Sequence, residues 1–219
     1  MSTSNARKNS NLAKRRRLAP FRALPPAVIA VVSGLHPAFS TATGTALARI
    51  EDAPSWLIIH LILAAAVTAM DATLLDWPGS HWGLWRRVRR IAVWVNLAAY
   101  PLFLGVDGLG GWLLATTSLP PGVSDLPLRL AAEHFFSSWV VASVAWIGAA
   151  GWVVAAVAIA LDRHRRRWPM GPAMVLVVGT VWLGVSHAFP LGTVGGALIA
   201  VAALWSGRVD SRPAGDAPG

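Results

Sequence analysis

The sequence predicts an all-α fold, a polytopic membrane helix bundle of about six transmembrane helices with both termini cytoplasmic. Three observations carry that expectation. The 219-residue chain is 55% hydrophobic and 13% charged, with a mean hydropathy of +0.53, a balance too apolar for an ordinary water-soluble domain. No charged residue lies between His134 and Asp162, and that stretch exceeds the roughly 20 apolar residues that carry a helix across a bilayer core. When the apolar segments alternate in direction, all of the 19 Lys and Arg except Arg49 and Arg129 fall on one side. Basic residues are retained on the cytoplasmic side, so the asymmetry sets the orientation.

Residues 1–24 carry Arg7, Lys8, Lys14, Arg15, Arg16, Arg17 and Arg22 among Ser and Asn, with too few apolar groups to fold alone, and read as a basic, disordered cytoplasmic tail. The helix bundle occupies residues 25–206, and the Pro, Gly and Asp of 207–219 read as a disordered C-terminal tail. Pro25-Pro26 opens the first apolar segment, Ala27–Ala48, interrupted by Ser33, His36-Pro37, Ser40, Thr41, Thr43 and Thr45. Its basic flank has the layout of a secretory signal, and Arg15-Arg16-Arg17 that of a twin-arginine one. No small-x-small site closes the run, so it is read as a span.

The second segment is Trp56–Leu75, entered through a Trp suited to the interfacial aromatic belt. The following Asp76–Arg90, DWPGSHWGLWRRVRR, reads either as an element lying on anionic lipid headgroups of the cytoplasmic leaflet or as a tight loop. The third segment, Ile91–Ala115, holds Asn96, Tyr100-Pro101 and GVDGLGG, where the proline predicts a kink and the glycines permit close helix contact. After a proline-containing loop, Thr116–Arg129, the fourth segment reads as one helix over Leu130–Leu161, ending on Asp162-Arg163-His164-Arg165-Arg166-Arg167. The fifth, Met170–Phe189, stops at Pro190. The sixth, to Trp205, is of marginal length for a crossing.

Several function classes drop out. With no cysteine, thiolate metal sites, iron–sulfur ligation and cysteine nucleophiles are excluded. The net charge of +9 resides in short flanks of apolar runs, so nucleic acid is not the expected partner. There is no HExxH, EF-hand or P-loop pattern, and no G-x-S-x-G elbow. GVDGLGG lacks the dinucleotide spacing and a preceding strand, and no internal repeat supports an inverted-repeat transporter.

What remains is a set of ionisable groups in the outer half of the bundle. His60 lies just inside the outer end of the second segment, Asp107 in the outer third of the third, Glu133 and His134 at the head of the fourth, and His187 in the last turn of the fifth. His36 falls nearer mid-membrane. Such groups are costly in lipid and mark function by default, although each has a plainer reading. Glu133 suits a surface pair with Arg129, His187 a helix cap, His36 packing beside Pro37, and Asp107 the start of a loop. His134 suits an interfacial position, and His60 a hydrogen-bonded core histidine.

Ser33, His36, Ser40 and Thr43 share one helical face; His60 and Asp71 return to nearly one face about 16 Å apart. Imidazole and carboxylate ligands suit a transition metal or haem iron. The leading expectation is an outer-half pocket binding haem or a metal ion, in an electron-transfer role, with His60, His134 and His187 as ligands and His36 and Asp107 as a fourth ligand or supporting partners. One alternative is a proton-coupled small-molecule carrier with His60 and Asp71 as relay groups, where Asp71 is either uncharged or paired with Arg86–Arg90. Another is an accessory protein without a ligand of its own, which meets a membrane-protein partner or a second copy through small-residue faces such as Gly192-x-x-x-Gly196. The expected location is the cytoplasmic membrane, in multi-pass form.

Overall fold

The computed structural model describes residues 3–36, 53–77, 83–118, 120–124 and 126–209, with side chains of the first helix described from Ala19 onward. These residues form seven α-helices and no strand: α1 (Thr3–Leu35), α2 (Ala53–Leu75), α3 (Leu84–Thr116), α4 (Leu126–Phe136), α5 (Trp139–Arg165), α6 (Gly171–Val185) and α7 (Leu191–Val209). Four stretches are long and apolar enough to cross a membrane: Pro54–Leu75, Leu84–Thr116, Leu126–Arg165 and Leu191–Val209. Two shorter apolar helices, Ala19–Leu35 and Gly171–Val185, complete the bundle. The chain is a multi-pass helical membrane protein.

Six helices close into a ring. α1 packs on α2, α2 on α3, α3 on α5, α5 on α6, α6 on α7, and α7 returns to α1, while α4 leans on α3. Ile29, Leu63, Met70, Leu104, Trp152 and Leu183 fill the interior, whereas Val31, Leu61, Ile91, Trp94 and Trp146 face outward. Lipid gives apolar side chains no reason to leave it for a protein core, so helix association rests on close packing and interhelical hydrogen bonds. Small residues supply the approach. A Cβ on Gly151 would lie 2.6 Å from the Ala92 carbonyl oxygen, and one on Gly196 2.7 Å from the Ala30 nitrogen. Asn96 Nδ2 donates to the Gly148 carbonyl at 2.7 Å, tying α3 to α5.

The structure departs from the sequence-based expectation at three places. The fourth segment is two helices, broken at Ser137-Ser138. Ser137 Oγ donates to the Glu133 carbonyl at 2.6 Å, and Ser138 Oγ accepts the Val140 N–H at 3.3 Å as N-cap of α5, so the hydroxyls end one helix and start the next. α3 begins at Leu84, which puts Arg86–Arg90 on its first turns, neither in a tight loop nor on a separate surface element; Arg89 there donates to the Trp77 carbonyl at 2.9 Å. α1 takes in residues 3–24, assigned from composition to a tail, where Ala, Leu, Arg and Lys extend the apolar helix that follows. Its far end is Leu35, so Ser40 and Thr43 of the proposed stripe lie outside the described residues, as do 210–219 of the C-terminal tail.

The two ends of the ring differ in chemistry. Arg22, which pairs with Asp76 at 2.6 Å, lies at one end with the arginines of α3 and of the α5 C-terminus. His36, His60, Asp107 and His187 occupy the other. Asp107 is about 27 Å along α3 from Arg89 at 1.5 Å per residue, close to the roughly 30 Å thickness of a hydrocarbon core.

Candidate functional site

Four elements bring four side chains to one point. α1 delivers His36 directly after its last turn, with its N–H donating to the Ser33 carbonyl at 3.3 Å. α2 delivers His60, α3 Asp107, and the turn between α6 and α7 delivers His187. Ligand atoms of His36, His60 and His187 all lie within 4.8 Å of one another. His36 Nε2 is 3.4 Å from His60 Nε2. Asp107 Oδ2 is 3.1 Å from His60 Nε2 and 3.8 Å from His187 Nε2. All four are buried, at 1% exposure for His60, 2% for His36, 4% for Asp107 and 7% for His187.

One hydrogen bond orients the His60 ring. His60 Nδ1 is 2.8 Å from the Trp56 carbonyl, and a carbonyl only accepts, so Nδ1 carries the proton and donates it. In the neutral ring Nε2 is then a bare lone pair. It faces a carboxylate oxygen, also an acceptor, and the neighbouring imidazole of His36. His187 Nε2 is buried with no hydrogen-bond partner. Burial holds the His187 imidazole well below the ordinary histidine range, a shift that His36 and His60 reinforce and Asp107 opposes. Three buried imidazoles around one buried carboxylate form a site that can hold a cation.

The surroundings keep water out and hold the rings in place. The Trp56 indole N–H donates to the Asp107 backbone carbonyl at 3.2 Å, and its ring packs on His36 at 5.0 Å and His60 at 4.6 Å between centroids. Phe103 meets His187 edge-on at 5.6 Å, and Trp112 and Ala115 pack on Trp56. Two glycines allow the approach: a Cβ on Gly108 would run into that of His60, and one on Gly192 into the His187 backbone.

The remaining sequence candidates lie elsewhere. His134 is exposed on α4 and is not part of the histidine group, because the break at Ser137-Ser138 leaves α4 outside the ring. His187 follows the α6 C-cap Ser186 instead of occupying a last helical turn, and His36 sits at a helix end, not at mid-span. Asp71, expected to be uncharged or to meet one of Arg86–Arg90, accepts the Trp152 indole N–H at 2.9 Å on Oδ1, while its Oδ2 is buried without a partner. Trp152 in turn packs on Tyr100 at 4.4 Å.

In the sequence Trp56 shows only its interfacial position, and nothing marks Trp152 or Phe103 as neighbours of an ionisable group. The one available signal was the i, i+4 spacing of Trp56 and His60, which places them on one face.

No protein-family model matches the chain, and no solved structure matches it. A stretch of 104 residues is 32% identical to the heme A synthase of Methylorubrum populi, taking in 47% of this chain and 26% of that protein. The chain therefore spans about a quarter of the length of this curated relative.

Proposed function

We propose that this protein binds one transition-metal ion near the outer face of the cytoplasmic membrane, through His36, His60 and His187 with Asp107 as fourth ligand. The observation that carries the reading is the convergence of three buried imidazoles and one buried carboxylate from four separate elements. Metal–imidazole bonds of about 2.0–2.1 Å in a tetrahedral centre put ligand atoms about 3.3 Å apart. The His36–His60 and His60–Asp107 separations of 3.4 and 3.1 Å bracket that value, and the His187–Asp107 separation of 3.8 Å is slightly longer.

Nitrogen and carboxylate donors without thiolate suit zinc, copper(II), iron or manganese. Bound there, a copper or iron ion would supply one-electron chemistry; a zinc ion would supply a structural tie. The residues of this chain set the conditions. The Trp56 carbonyl fixes the His60 tautomer so that Nε2 is the free donor, as outer-sphere hydrogen bonds do for metal-binding histidines. Asp107 offsets part of the ionic charge, and Trp56, Trp112 and Phe103 keep the centre dry. Placing the arginine end on the cytoplasmic side puts the histidine end on the outer side.

A haem reading is supported by the likeness to a heme A synthase. Two axial imidazoles on one iron would stand about 4 Å apart, in line, at metal–nitrogen bonds of ~2.0 Å. His36 and His60 are closer, and their rings meet at 67°, which favours a bare ion. Protein purified from its native membrane decides between them by elemental analysis and a visible spectrum. One equivalent of metal without a Soret band supports the ion site, a stoichiometric Soret band supports haem, and absence of both overturns the two readings together.

A further inference from the structure

Independently of the metal centre, the other end of the bundle holds an apolar groove on the outer surface where α3 meets α5, of about 420 Å³. Val88, Ile91 and Val95 form one wall and Ile147, Ala150 and Val154 the other. Those α5 residues recur at helical spacing, and the same stripe runs on through Leu161 to Arg165. Arg87 lies one turn before Ile91. Both arginines are exposed, and among the described residues neither has a carboxylate partner. Their neighbours are engaged: Arg89 bonds the Trp77 carbonyl, Arg163 the Pro169 carbonyl, and Arg166 pairs with Asp162. Beyond the groove, each of the two helices thus carries an exposed guanidinium group without a carboxylate partner among the described residues.

We propose that this groove is a binding site for one anionic phospholipid, with an acyl chain between α3 and α5 and the headgroup phosphate held by Arg87 and Arg165. The wall from Val88 to Val95 rises about 10 Å, shorter than an acyl chain, so the lipid's phosphate lies past Arg87 towards Arg165. An uncharged or zwitterionic lipid fits the groove but leaves the two charges unmatched. Free phosphate matches the charges but leaves the groove empty.

Native mass spectrometry of the detergent-solubilised full chain, mixed with equal amounts of phosphatidylglycerol and phosphatidylcholine of the same acyl chains, tests this. The wild type retains one phosphatidylglycerol in preference by about 30-fold, the effect of two arginines near an anionic headgroup. The double variant Arg87→Gln, Arg165→Gln loses the preference but still binds either lipid. Ala150→Phe, which fills the groove from its lipid-facing side, loses both, with circular dichroism checking that the helices persist. Arg90→Gln, on another face of α3, keeps the wild-type preference. Equal retention of the two lipids by the wild type overturns the proposal. So does a loss in Arg90→Gln as large as in the double variant, which indicates a diffuse basic belt, and so does unchanged binding in Ala150→Phe.

Discussion

The most informative single substitution is Gly108→Ala. α3 passes α2 so closely there that an added methyl runs into the Cβ of His60 and comes within 3.0 Å of its Cγ. Unstrained carbon contacts are about 3.5–4.0 Å, so the two helices must part by about 1–1.5 Å, and overpacking of this kind costs about 1–3 kcal/mol. Asp107 is the residue before Gly108, and its Oδ2 is 3.1 Å from His60 Nε2. The same displacement therefore opens the ligand set beyond the roughly 0.5 Å that a preorganised site tolerates. Metal affinity should fall by about 10-fold or more, together with the unfolding temperature. Gly105→Ala is the control, since it lies on the same helix and a Cβ there meets nothing within 4 Å. It should bind metal as the wild type does and gain up to about 1 kcal/mol of helix stability. Titration against a chromogenic chelator in detergent micelles, with thermal unfolding followed by circular dichroism, reads both quantities. Wild-type affinity in Gly108→Ala would refute the argument that this contact positions the ligands, and so would equal losses in the two variants.

Asp107→Asn keeps the shape of the side chain but removes its charge, so affinity for a divalent ion should drop by about 10–100-fold while helix content is unchanged; the same chelator titration reads it. Asp71→Asn preserves an oxygen for the Trp152 indole and should leave metal content intact, whereas Asp71→Leu strands that donor and should cost about 1–3 kcal/mol in thermal unfolding. Proton-coupled uptake lost in Asp71→Asn vesicles, with metal content unchanged, would instead favour the carrier reading. For orientation, a cysteine at Ser124 should react with an impermeant thiol reagent in intact cells and one at His164 should be protected; the reverse pattern would invert the assigned sides.

The membrane class and the separation of the two ends were legible because they depend on composition and charge summed over long segments. The arginine distribution places His60, Asp107 and His187 at the end opposite Arg22 and Arg86–Arg90 without any knowledge of packing, though not His36, which its position along the first segment leaves nearer mid-span. What linear reading misses is who turns towards whom. His134 stands at the head of an apolar run that looks continuous, and only the hydroxyls of Ser137 and Ser138 redirect the chain and leave it outside the ring. His36 looks like a packing residue beside Pro37, yet the end of α1 sets it against His60. Depth along the helix leaves Asp71 either uncharged or beside an arginine, and does not name its partner. An indole on α5 reaches it, a pairing separated by 81 positions that no local spacing announces. The break in the fourth segment was open to inspection in principle, since paired serines in an apolar helix are a known capping signal.

Coordination of one ion by three imidazoles and a carboxylate can be read by X-ray absorption at the edge of whichever metal loads the purified protein stoichiometrically. The expected result is four nitrogen and oxygen neighbours at about 2.0–2.1 Å, with more distant scattering from three imidazole rings that falls to two in His60→Ala. A porphyrin scattering pattern, or a bound ion whose spectrum lacks imidazole contributions and does not change in His60→Ala, would contradict it.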